Sequence, residues 1–514
     1  MKLNYKRTIL VGFAFFLICA FWQAYDATIP VILTNKFGMS QTASGVIMAL
    51  DNILAVFMLP IFGALSDKCR SKKGKRTPFI TIGTTVAAVL LVALAFVDNA
   101  QLRNVSDISA IDDPATLSVI YEQQADATLQ TPEGEEFVLS QVFSQEDFTS
   151  IRSEISLASG KTTPNPDYTN YVVPARQACA AAATAQQPVP MYLFIGLLLA
   201  LLIAMAIFRS PAVALMPDVT VKPLRSKANA VINLMGTAGG ILVLVLGIVF
   251  ATSAVKNAMM NYYVYYGIIA FLMLGALAIF VLTVREPQWA KEMQEASASL
   301  EEEVEENGEK RRLSKSEIIS MLLILASVAL WYIGYNAVTS KYSLYASSVL
   351  GMDYNTTMLI AQGAAIVSYL PAGMVASKLG RKKTILGGVV MLTAAFAIAA
   401  FMRAGSPVLL MNVLFALAGI GWATINVNSF PMVVEMCAGS DIGKFTGYYY
   451  TASMAAQVIT PIFSGFLMDQ MGMVVLFPYA AIFAGLAFVT MFFVKHGDSK
   501  VQAKKGLEAL DIED

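Results

Sequence analysis

Apolar stretches of membrane-crossing length recur along the chain, at 8–33, 43–65, 78–97, 191–216, 228–252, 262–284, 317–345, 357–376, 384–403, 408–434, 446–468 and 473–494. A helix needs about 20 apolar residues to cross a hydrocarbon core of roughly 30 Å, and in lipid every backbone amide must find its partner within its own segment. The pattern predicts an all-α membrane protein with twelve transmembrane helices, and an even number puts both termini on one side. Two stretches break the rhythm. One, 98–190, is polar and acidic with no membrane-length run. The other, 285–316, carries the core LEEEVEENGEKRRLSK and divides the spans six and six. The expected organisation is a first six-helix bundle over 1–284, with 98–190 inserted between its third and fourth helices. A solvated linker over 285–316, a second six-helix bundle over 317–494 and a tail over 495–514 follow. Within the insertion, PATLSVIYEQQ and EFVLSQVFSQEDF read as short amphipathic helices or strands. GKTTPNPDYTN and AAATAQQPVP read as turns and linker.

Composition agrees: 56% of residues are hydrophobic and 14% charged, against roughly 25% charged in a soluble domain. Charge then orients the spans, because Lys and Arg accumulate in short cytoplasmic loops. With the start inside, the inner segments hold Lys2, Lys6 and Arg7, then Lys68, Arg70, Lys72, Lys73, Lys75 and Arg76, and later Lys222, Arg225, Lys227, Arg311, Arg312, Lys315, Lys378, Arg381, Lys382 and Lys383. The short outer loops offer little beyond Lys36, Lys256 and Arg403. The expectation is a multi-pass protein of the plasma (inner) membrane with cytoplasmic termini and an extracytoplasmic insertion. The first stretch is too long for a cleaved signal peptide and lacks an Ala-x-Ala-like context before Asp26. The run Tyr262, Tyr263, Tyr265 and Tyr266 fits an interfacial aromatic belt. Asn104 and Asn355 head glycosylation sequons on the outer side.

The loops between helices carry the first specific motifs. After the second helix stands Gly63-x-x-x-Asp67-x-x-Arg70, followed by Gly74, Arg76 and Pro78; the second half echoes it with Gly373, Lys378, Gly380, Arg381 and Lys382. This pattern resembles the signature loop of the major facilitator superfamily. Small glycines let helices approach closely, and an Asp can pair with Arg or cap a helix end to lock a gate. Asp218, Glu435 and Lys444 sit at inner helix ends, where gate salt bridges are the expected role. A narrower resemblance lies in SDKCRSKKGKRTPFI, in 214–241 and in 443–469, which are similar to the sucrose-transporter-like and glycoside–pentoside–hexuronide cation symporter branch. The resemblance implies two related bundles and alternating access. It also implies secondary active symport of a sugar or glycoside with H⁺ or Na⁺.

Ionisable groups inside spans cost about 2.5–3.5 kcal/mol on insertion scales and are functional candidates by default. Asp26 and Asp51 fall at similar depth in the first two spans. They are the candidate coupling pair, either through a shared proton or as Na⁺ ligands; the bland alternative is that one caps a helix break near Pro30. Arg209, in the fourth span, can pair with a carboxylate or bond a hydroxyl, or snorkel inward. Lys341, near the outer end of the seventh, has more room to snorkel. Sugars need flat apolar faces and polar rims, and Trp22, Gln23, Asn52, Trp331, Tyr335, Asn336, Gln362, Trp422, Asn426 and Gln457 supply both. Any single amide can instead be interhelical glue. The only histidine, His496, lies in the tail, so a proton relay must use carboxylates. With no metal-ligand cluster and no nucleotide-binding loop, an enzyme is not expected, nor any cofactor beyond the coupling ion. The expected partners are lipid and a small molecule, with no nucleic acid and a monomeric working unit. An exporter or carrier of another amphiphile is the alternative cargo reading, and a transport-deficient sensor using 98–190 as a receptor the alternative class.

Overall fold

In the computed structural model, which describes residues 3–156, 162–221, 224–301, 314–434, 436 and 442–497, twelve long helices of 17 to 31 residues carry the chain. They are α1 (Tyr5–Asn35), α2 (Gln41–Asp67), α3 (Thr77–Asn104), α8 (Val189–Val219), α9 (Arg225–Val249), α10 (Tyr263–Thr283), α12 (Lys315–Tyr345), α13 (Tyr354–Leu379), α14 (Arg381–Ala399), α15 (Val408–Val434), α16 (Ile442–Met471) and α17 (Leu476–Phe492). Among the described residues, eleven helices are apolar and long enough to cross a membrane. The exception is α13, whose 26 residues reach about 39 Å at 1.5 Å per residue but include Asn355, Thr356, Thr357, Gln362 and Ser368. It packs between α15 and α9, so its polar groups face protein. Outward faces carry Phe96, Phe271, Leu282 and Val367, as lipid contact requires.

Two cores divide the helices. One draws on residues from Val11 to Trp289 and packs α1 on α9 and α3 on α8; the other runs from Ile324 to Val494, takes in Ala27 and Leu244 of the first half, and packs α13 and α14 on α15 and α12 on α17. The halves meet along α2 with α16, α9 with α13 and α1 with α12.

Between α3 and α8 the insertion folds on its own small core of Leu117, Ile120, Leu139, Phe148 and Val172. It comprises α4 (Pro114–Gln124), the antiparallel pair β1 (Thr128–Gln130) and β2 (Glu136–Val138), short α5 (Leu139–Val142) and α6 (Gln145–Ser150), a second pair β3 (Glu154–Ser156) and β4 (Thr162–Pro164), and α7 (Val173–Gln186). The helix at 114–124 starts where Asp113 accepts from Thr116 N at 2.9 Å. The alanine run at the start of the expected linker is instead the C-terminal part of α7, which ends at Gln186, since alanine is the strongest helix former. On the first half, Gln177 Nε2 donates to Asn35 Oδ1 (2.8 Å) and Lys256 pairs with Glu154 (3.2 Å). On the second, Arg403 pairs with Glu133 (3.1 Å) and Val474 N donates to Pro132 O (3.2 Å).

At this insertion end the halves are closed on each other. A Cβ on Gly45 would lie 2.0 Å from Pro461 O, and one on Gly465 2.2 Å from Gln41 O, so α2 and α16 touch backbone to backbone. Asp469 on α16 caps α2 from across the seam, accepting from Gln41 N and Thr42 N at 2.7 Å and from Thr42 Oγ1 at 2.5 Å. Lys341 Nζ donates to Gln41 O at 2.8 Å, and Asn355 Nδ2 to the Thr252 and Ser253 hydroxyls at 3.0 Å.

Three further expectations change. Tyr262, Tyr265 and Tyr266 are not an interfacial belt: all three are buried, and Tyr266 bonds the Thr28 hydroxyl at 2.7 Å. Only Tyr263 turns outward, onto Phe96. Secondly, the start of the linker is docked rather than solvated, as α11 (Glu286–Glu301). Its Glu286 is 3% exposed and accepts from Lys75 N (2.6 Å), Thr77 N (2.8 Å) and Thr77 Oγ1 (2.7 Å). Trp289 is buried beneath the Arg7 guanidinium, and Arg7 bonds Glu292. The basic run Arg311 and Arg312 lies outside the described residues. Thirdly, Asn355 is fully buried, which leaves no room for a glycan in this conformation.

Candidate functional site

The site grows from α1. Trp22 and Asp26 stand one turn apart and so share a helix face. Pro30 has no N–H, which leaves the Asp26 carbonyl without its helical donor; Ser343 of α12 supplies one instead, at 3.0 Å across the seam. The turn that carries Asp26 is thereby held by the opposite half.

Two adjoining cavities flank that face, with Trp22, Asp26 and Thr339 lining both. The smaller, about 190 Å³, is polar: α1 contributes Tyr25 and Asp26, α2 Asp51 and Asn52, α8 Arg209, α12 Asn336 and Ser340, and α16 Gln457. Asp51 accepts from Asn52 Nδ2 at 2.8 Å, and the Arg209 guanidinium lies 5.5 Å from the centre of the Trp22 ring. Among the described residues, the Asp26 carboxylate has neither a hydrogen-bond nor an ion-pair partner. The larger cavity, about 320 Å³, is aromatic and apolar, with Tyr335 and Trp422 in face-to-face contact at 3.6 Å and 3°. Phe396, Phe415, Met358 and Tyr369 complete its walls. Its amides are already engaged: Gln362 Nε2 donates to Gln23 Oε1 (2.7 Å), and Gln23 Nε2 to the Tyr354 hydroxyl (3.0 Å).

The two cavities thus gather Trp22, Gln23, Asp26, Asp51, Asn52, Arg209, Tyr335, Asn336, Gln362, Trp422 and Gln457. Three candidates lie elsewhere. Trp331 is wholly buried in the core of the second half, because it faces α17 rather than the seam. Lys341 does not snorkel; it is buried with its ammonium on the Gln41 carbonyl and belongs to the closed end. Asn426 lines neither cavity. His496 bonds Ser316 at 2.9 Å, away from both.

The sequence profile described as the Major Facilitator Superfamily matches residues 10–108, 176–368 and 355–512. The chain belongs to the major facilitator superfamily. That superfamily is one of transporters rather than enzymes. Curated relatives are MFS-type transporters named ppzB from Metarhizium majus, 31% identical over 120 residues, and Metarhizium rileyi, 29% identical over 120 residues. The match takes in 23% of this chain and 26% and 24% of theirs, so the chain spans about a quarter of the length of these relatives. Among solved structures, the inward-open xylose transporter XylE from E. coli is 16% identical with a TM-score of 0.55 over 99% of both chains. A peptide transporter POT in complex with sulfate is 10% identical with a TM-score of 0.57, over 95% of this chain and 93% of that one. At such identities the likeness is one of fold.

The loop that resembles the superfamily's signature is built around Arg76. Its guanidinium reaches Asp218 at 2.7 Å, Asp67 at 2.5 Å and the Ser66 hydroxyl, tying the ends of α2, α3 and α8. Asp67 pairs with Arg76, while Arg70 is exposed. Gly74 takes a φ of +114° with Glu286 against its α-carbon, where a Cβ would meet that carboxyl at 2.3 Å. Gly63 packs close to the Ser210 hydroxyl. In the second half, Gly380 turns the chain at φ +91°, Arg381 is buried and Lys378 exposed, and Lys382 donates to the Phe492 and Val494 carbonyls. Gly373 is half-buried in α13. Glu435 and the side chain of Lys444 lie outside the described residues.

Tyr25, Thr339, Ser340 and Tyr369 of the cavities, and Asp469 and Glu286 at the two ends, went unread in the sequence. Thr339 stands one turn from Tyr335, the spacing that could have marked it; a partner for Asp469 more than 400 residues away leaves no local trace.

Proposed function

We propose that the chain is a secondary active symporter that carries a sugar or glycoside together with a proton, by rocking one six-helix half against the other. One observation carries this reading: Asp26, a carboxylate without a counter-ion among the described residues, lines both cavities. Charge at such a site is costly until a cation joins it, so cation loading and substrate loading share one residue. Asp51 would share the cation, with Arg209 close to the same lobe. Carboxylates, amides and an arginine supply the hydroxyl-binding rims a sugar needs, and flat rings supply its apolar faces. Carriers of xylose share the fold, and the loop motifs resemble a glycoside symporter branch.

The basic loops would face the cytoplasm, with both termini there and the insertion outside a plasma membrane. The three short-loop bases at the insertion end support that orientation, since Lys36, Lys256 and Arg403 are each neutralised by an acid. The closed insertion end would then make this an inward-facing state of a monomeric carrier. The bundles would span 1–284 and 317–494, with Gly63, Asp67, Gly74, Arg76 and Asp218 among the moving contacts of the inner gate. Uptake into proteoliposomes of a panel of labelled sugars and glycosides, with pH and Na⁺ gradients imposed separately, tests the reading. Accumulation driven by the pH gradient is expected. Accumulation driven only by Na⁺ replaces the proton in the scheme, and none under either gradient overturns it.

A further inference from the structure

We propose that the cargo is an amphiphilic glycoside whose aglycone is a flat apolar ring system, with the sugar seated in the polar cavity and the aglycone in the aromatic one. This rests on the glycoside reading above and narrows it.

Unspent hydrogen-bonding capacity distinguishes the two cavities. Every hydroxyl of a buried sugar must find a partner, and a site whose polar groups are already paired has little to offer it. Of the side chains that line the polar cavity, Asn336, Trp22 and Tyr25 each carry a buried polar atom (Nδ2, Nε1 and the hydroxyl) with no partner among the described residues, which a side-chain turn would present to a ligand. Two carboxylates and Arg209 stand beside them. These are the groups a polyol rim would use. In the aromatic cavity the Gln362 and Gln23 amides bond each other and Tyr354, and the remaining wall is largely apolar.

Size and shape agree. A cavity of about 150 Å³ lined by apolar side chains suffices for benzene, so the aromatic cavity's 320 Å³ admits a ring system but is poorly furnished for a second sugar. Its wall is the Tyr335 and Trp422 pair, stacked at 3.6 Å. Tyr332 meets Trp422 edge-on at 5.2 Å, so the plane is braced from behind. A fixed plane favours another plane in offset or edge contact. Trp22, Asp26 and Thr339 are common to both cavities, so a single molecule bridging them would place its glycosidic linkage near Asp26.

The test uses the full chain in proteoliposomes and three matched series: methyl, n-octyl and p-nitrophenyl glycosides of glucose, galactose and xylose. For the sugar that is carried, the p-nitrophenyl glycoside is expected to show a KM about tenfold below that of its methyl counterpart, with the octyl compound between them. Trp422→Ala should raise the p-nitrophenyl KM about tenfold more than the methyl KM. Ala365→Phe, which fills the aromatic cavity without removing its wall, should do the same, and it keeps the test decisive if the tryptophan variant fails to fold. Equal KM values across the three series, or equal losses in both variants, overturn the proposal and leave the glycoside reading standing. An octyl glycoside preferred over the aryl one overturns the flat ring. If no glycoside is carried under any gradient, the glycoside reading itself falls.

Discussion

Two sets of acids within the helices of the first half are furnished in opposite ways. Asp98 and Lys36 are both wholly buried, and each ammonium proton is spent: Lys36 donates to both Asp98 oxygens and to the Met260 carbonyl, all at 2.7 Å. The Tyr262 ring lies 4.7 Å away, and Gln101 bonds the Lys36 carbonyl at 2.7 Å. Asp26 and Asp51 sit in the same half but face a cavity, and among the described residues they accept between them one side-chain bond, from Asn52. The difference separates roles. A buried charge with every valence used adds rigidity and has nothing left to exchange, whereas one that lines a void with valences open can take up a cation or a hydroxyl.

The sharpest way to break that contrast is to neutralise each kind of acid. Asp26→Asn should abolish gradient-driven accumulation while leaving the folded fraction and melting temperature near wild type. Asp51→Asn should also abolish accumulation but leave substrate exchange measurable. Full uphill uptake by either variant removes that residue from coupling. Lys36→Met should act the other way, lowering stability by about 3–5 kcal/mol, the usual result of leaving one partner of a buried pair alone. Lys36→Met with Asp98→Leu should recover most of that loss; a double variant as unstable as the single would show that the pair is not the unit.

A third, smaller effect concerns Glu286, another fully engaged acid. Glu286→Gln retains one acceptor oxygen for the several donors of the 75–77 turn, and should lose about 1.5–3 kcal/mol of local anchoring. Faster hydrogen exchange confined to that turn and to α11 would show it, and unchanged exchange would refute it. The smallest effect is expected at Asp469, whose bonds cross the seam. Asp469→Asn should weaken them by about 1–2 kcal/mol and so tilt the balance between states rather than the fold. Increased labelling of a cysteine placed at Ser44, which is buried at the seam, at constant melting temperature, is the signature. Equal labelling with a lowered melting temperature would make Asp469 an ordinary helix cap.

The spans were legible because lipid dictates run length, and the gate loops because glycine and arginine spacing is local. Asp26 and Asp51 were legible as costly exceptions inside apolar runs. What the chain could not disclose was facing. Trp331 and Trp422 look equivalent along the sequence, yet one turns to the core and the other to the seam, a matter of which helix packs behind each. Lys341 read as free to snorkel because its acceptor, Gln41 O, is 300 residues away. Lys36, Lys256 and Arg403 read as stray outer bases; each has an acid, two of them on the insertion. The tyrosine run misled for the same reason: an aromatic girdle and a buried tyrosine cluster have the same composition.

The insertion that holds both halves has a practical consequence. Its turn at Glu133 rides on the Arg403 loop of the far half, while Glu154 stays with Lys256 of its own. Any movement that parts the halves at this end must shear one seam and spare the other, so the Glu133 side would be a strain gauge for the proposed transport cycle. An antibody fragment raised across that seam would bind one state alone, and its occupancy would report, molecule by molecule, how far each carrier has turned.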